Sequence, residues 1–99
     1  METKHTPGPW TYSKGQGLYE QRYVIDSEPG RALAVCAGFE PRNEANARLI
    51  AAAPELLALM QDVLPILESM DHQREEGDEP MPLIDQVRAT IAKATGKTL

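Results

Sequence analysis

Eight prolines in 99 residues constrain this chain more than any other feature. Each fixes its own φ, removes a backbone donor and biases the residue before it away from helical geometry. They stand at Pro7, Pro9, Pro29, Pro41, Pro54, Pro65, Pro80 and Pro82, and the hydrophobic period changes across them. Before Pro41 apolar residues alternate; beyond it they recur at helical spacing. That switch predicts an α+β fold: an N-terminal antiparallel β-meander of about three strands over residues 1–41, then two or three helices that close in a C-terminal helical hairpin. One domain is expected to span residues 1–99.

The meander begins at Trp10-Thr11-Tyr12, and Ser13 to Gly17 supplies a loop with two glycines. From Tyr19 to Asp26, Tyr19, Gln21, Tyr23 and Ile25 share one face, the pattern of a half-buried strand, so Tyr23 and Ile25 should face the core. Ser27-Glu28-Pro29-Gly30 places Pro and Gly at the two central positions of a turn. Arg31 to Ala37 then returns with Leu33 and Val35 on one face, and Gly38-Phe39-Glu40-Pro41 ends the sheet.

The helical region is expected over residues 42–70. Asn43 suits an N-cap and Glu44 an early position that the helix dipole favours, with Leu49, Ile50 and Ala53 as the buried stripe. Pro54 predicts a break near residues 53–54. Leu56, Leu57, Met60, Val63, Leu64 and Leu67 then form a continuous apolar face, and Pro65 within it predicts a bend or an earlier helix end. Residues 71–82 are acidic and rich in breakers, which reads as a flexible loop. A last helix follows over 83–95 with Leu83, Ile84, Val87 and Ile91 inward and Gly96 as its stop. Any apolar face that the small sheet leaves uncovered favours a homo-oligomer.

Charge narrows the partners. Residues 1–53 carry six Lys/Arg against six Asp/Glu, net 0, whereas residues 54–99 carry four against nine, net -5. Nonspecific nucleic-acid binding rests on releasing counterions with Lys and Arg, so duplex DNA or RNA is not expected as a partner. A positive pocket in the neutral half still admits a small anionic ligand. The lone Cys36 has no disulfide partner and Met1 to Trp10 lacks an apolar run, which together predict a reducing, cytoplasmic location. The apolar stretch Leu49 to Met60 falls short of the ~20 residues a bilayer requires, so no membrane span is expected.

Two segments, His5-Thr6-Pro7-Gly8-Pro9-Trp10 and Asn46-Ala47-Arg48-Leu49-Ile50-Ala51-Ala52-Ala53-Pro54-Glu55-Leu56-Leu57, resemble in their order and pairing a widespread group of short phage and prophage proteins. The resemblance runs from about His5 to Leu67. It implies a phage accessory protein that acts in the host-cell cytoplasm by binding, either to a host defence protein or to an immune signalling nucleotide.

The candidate binding residues are His5, Trp10, Arg42, Asn46 and Arg48. The two X-Pro steps stiffen the arm that holds Trp10, which either anchors the arm on the sheet or stacks on a base while His5 donates to a phosphate. Asn46 precedes Leu49 and Ile50 at helical spacing and should point towards the same apolar face. It bonds either a neighbouring loop or, with Arg42 and Arg48, an anionic ligand at the helix start. Gly15-Gln16-Gly17 lacks the lysine of a phosphate loop and reads as a hairpin loop. His5, His72 and Cys36 are too scattered for a zinc site, and Cys36 reads as a small core hydrophobe. No nucleophile, base and orienting group form a motif, so neither enzyme activity nor a cofactor is expected.

Overall fold

The computed structural model describes residues 5–15, 22–28, 31–36, 42–75, 77, 79 and 81–97. They belong to two compact units, Met1–Glu55 and Leu56–Leu99, in an α+β order of three strands followed by three helices.

In the first unit, β1 (Thr11–Lys14), β2 (Tyr23–Glu28) and β3 (Arg31–Cys36) form an antiparallel sheet in the order β1-β2-β3. This is the expected meander. Because side chains alternate along a strand, the register Tyr12↔Ile25↔Ala34 and Tyr23↔Cys36 puts all five residues on one face. Ile25 at its centre is fully buried; Cys36 and Ala47 join it in the core, with Trp10, Tyr12, Tyr23, Ala34 and Ile50 packed around. Leu33 and Val35 lie on the opposite face and stay exposed. The β2–β3 register shifts between Asp26 and Glu28, which bulges Ser27 just before the predicted turn residues Pro29 and Gly30. Those two lie outside the described residues, as do 16–21 of the first loop and second strand and 37–41 at the end of the sheet.

Helix α1 (Arg42–Ala51) covers the Ile25 face through Asn43, Ala47 and Ala51, a four-residue repeat. This corrects the expected stripe. Leu49 is 64% exposed and Asn46 is also exposed, while Asn43, inside the helix rather than at its cap, is wholly buried. The reason is volume: with Ile25 and the aromatic side chains already rising from the sheet, only the alanine side of α1 fits closely against it. The Ala52 N–H still bonds the Arg48 carbonyl (3.1 Å) as α1 ends. The break falls at Ala52, and α2 (Ala53–His72) follows with Pro54 as its second residue, where a missing N–H costs no helical bond.

The second unit contains most of α2 and all of α3 (Pro82–Thr95). The alternative of an early helix end at Pro65 does not hold, for α2 continues unbroken to His72, two residues into the expected loop. Pro65 is exposed, so the carbonyl it deprives of a donor turns to water. Asp71 accepts from Met81 N (3.4 Å) and pairs with Arg74 (3.2 Å), and Glu68 binds Arg88. These pairings run in opposite directions along α2 and α3, which makes the helices antiparallel. Ile84, Val87 and Ile91 form the buried stripe of α3. Gly96 ends it in the left-handed conformation, φ 71°, with its N–H and that of Lys97 on the Ala92 carbonyl, as its place in the sequence predicts. Among the described residues no single helix is long and apolar enough to cross a membrane.

Among the described residues Ile25 is the one large aliphatic side chain that is fully enclosed, so the core of the first unit should be sensitive there. Ile25→Ala is expected to cost roughly 2–5 kcal/mol, measured by urea unfolding. Leu49→Ala, at the position the sequence marks as core, should cost well under 1 kcal/mol.

Candidate functional site

The N-terminal arm is held by its own backbone and by the helix break. The Thr6 carbonyl accepts from Trp10 Nε1 (3.0 Å) and from His5 Nδ1 (2.9 Å), and the two rings meet edge to face with centroids 6.1 Å apart. Gly8 lies against Pro54: a Cβ on Gly8 would come within 3.0 Å of the Pro54 Cβ. Glycine lets arm and helix approach this closely, since an added Cβ would force one of them to give by a few tenths of an ångström.

Between arm and helix lies an open groove of about 530 Å³, lined by Trp10, Thr11, Tyr12, Arg48, Ala51, Ala52 and Glu55. The alanines make its floor because they carry little volume on the turn where α1 ends. Arg48 and Tyr12 are fixed by a chain of polar contacts that ties helix to sheet. Arg48 Nε donates to the Tyr12 hydroxyl (3.0 Å), Arg48 Nη2 to Glu44 (2.8 Å), and the Tyr23 hydroxyl to the other Glu44 oxygen (3.2 Å). The Tyr12 and Tyr23 rings are 6.0 Å apart and tilted. The bond to Tyr12, then the charges of Tyr12 and Glu44, raise the Arg48 pKa above its ordinary value, so this guanidinium stays charged at every working pH. Its side chain is 62% exposed and therefore available to a ligand as well as to Glu44.

Of the residues marked in the sequence, Trp10 and Arg48 line this groove, while His5 packs edge to face on Trp10 and is not among the lining residues. Arg42 and Asn46 lie elsewhere: both are exposed, and helical spacing turns them to the side of α1 away from Arg48. Sequence reasoning missed Tyr12, Glu44 and Glu55. The four-residue spacing of Glu44 and Arg48 was a readable signal for a helix-surface ion pair; the pairing of Tyr12 with Arg48, 36 residues apart, left no local trace. Cys36 is a buried free thiol in the core cluster. A second recess, about 480 Å³, lies in the other unit among Asp71, His72, Arg74, Glu75 and Gly77. Among the described residues, no group of three or more His, Cys, Asp or Glu could hold a metal ion.

The family model described as Salmonella phage P22 protein Y8K6 matches residues 1–98. The chain belongs to that family. It is a small phage accessory protein. Trp10, from the first of the two segments, lines one side of the groove, and Arg48, Ala51, Ala52 and Glu55, from the second, line the other. No curated protein and no solved structure matches the chain.

Trp10 is the single tryptophan, so its fluorescence reports where the arm sits. Gly8→Ala should lift the arm from Pro54, shift the emission to the red and cost about 1–2 kcal/mol of stability. Unchanged emission would mean that the arm does not rest on Pro54.

Proposed function

We propose that this phage accessory protein acts by binding, and that the groove holds the base and a phosphate of a small signalling nucleotide, withdrawing it from the host's defence in the cytoplasm. The observation that carries the reading is the convergence of Trp10, Tyr12 and the Arg48 guanidinium on one groove. Aromatic faces stack on any base, at roughly 1–3 kcal/mol per base. A guanidinium has five N–H groups, of which Tyr12 and Glu44 engage two, and a phosphate accepts from the same planar fork. Glu55 accepts hydrogen bonds and so suits the amino edge of a base, with the phosphate towards Arg48. The groove's volume lies in the range of small-molecule sites.

The alternative ligand is a host defence protein, and one experiment separates the two. The protein is incubated with a panel of cyclic and linear signalling nucleotides, its melting temperature measured, and the ligand recovered by heating. One nucleotide should raise the melting temperature and return intact, and Trp10→Ala and Arg48→Ala should each weaken its binding roughly tenfold. No thermal shift with any nucleotide would transfer the role to a protein target, and a chemically altered nucleotide would make the protein an enzyme.

A further inference from the structure

Helix α2 carries two apolar seams, of which the described residues cover one. Leu57, Met60, Leu64 and Leu67 are half-buried on the side where Glu68 reaches Arg88 of α3 and Asp71 reaches Met81 just before it. Leu56, Leu59, Val63, Ile66 and Met70 are 46, 64, 41, 58 and 54% exposed. Their spacing of three, four, three and four residues is the heptad pattern with which helices interlock side chains. At 3.6 residues per turn the centres of the two seams lie about 100° apart around the helix.

That angle bears on what covers the open seam. A single added helix would complete a three-helix bundle, where each member meets its neighbours about 60° apart; a square four-helix bundle needs about 90°. The geometry therefore calls for two further helices. The antiparallel α2–α3 hairpin also turns Leu83, Thr90 and Ala94 of α3 to the same side as the open seam, and all three are exposed. One hairpin thus presents a two-helix face, and a second hairpin of the same kind closes the square.

We infer that two copies of this chain associate through that face, α2 against α2 and α3 against α3, as a symmetric four-helix bundle. The five residues of the seam and Leu83 expose roughly 600 Å² of mostly apolar surface per copy, at the upper end of what a monomer leaves open. With a polar rim the face reaches the roughly 800 Å² per partner of an ordinary stable interface. The inference is independent of the nucleotide reading, since the groove and the seam share no residue.

The test is the mass of the full chain in solution, by sedimentation equilibrium over a hundredfold range of concentration. Twice the chain mass is expected, with the double variant Leu59→Glu/Ile66→Glu monomeric at unchanged helix content by circular dichroism. Should that variant lose helix, Val63→Cys supplies the reading: as the middle residue of the seam it meets its own copy in either helix orientation, and mild oxidation should link two chains. A wild-type monomer throughout the range, or a dimer with neither sensitivity to the glutamates nor a Val63→Cys link, overturns the inference.

Discussion

Ala47 ends in a methyl group, and on that small volume the first unit depends. A longer side chain there would hold α1 off the sheet and open Ile25 to water, and among the described residues Ile25 is the one large aliphatic side chain that is fully enclosed. Close approach of the helix also decides which residues stand at the margin of the core. Tyr12 and Tyr23 tilt up beside α1 and meet Glu44 and Arg48 with their hydroxyls. The rings thus bury carbon against the core while their oxygens join the polar chain that ties sheet to helix.

The groove follows from the same packing. With Ala51 and Ala52 at the end of α1 there is no side chain to fill the space beside Trp10, and Gly8 lets the arm close onto Pro54. Surface ion pairs such as Arg48–Glu44 add little to stability; here the pair's consequence is position, because it orients a charged group at the rim of a mostly apolar recess. The proline-rich segment and the helix-break segment are each ordinary alone. Together they line one groove.

The second unit obeys a different constraint. Half the circumference of α2 is apolar, wider than a two-helix hairpin can cover, and the exposed half keeps a strict heptad spacing over Leu56 to Met70. That spacing is the one with which helices interlock side chains.

Local chemistry was enough to read the alternation that makes Tyr23 and Ile25 face inward, the run of α3 and its Gly96 stop, and a helix break beside Pro54. Each depends on residues within one or two turns of one another. The sequence also singled out Trp10 and Arg48, which the structure places on the lining of one groove. It misjudged the buried side of α1 at Leu49 and Asn46 and left no trace of the Tyr12–Arg48 pairing, because both depend on the space left by a sheet some twenty residues away in the chain. Periodicity says that a helix has faces; which face goes inward, and which tyrosine an arginine finds, is settled only when the volumes of both elements compete for the same small interior.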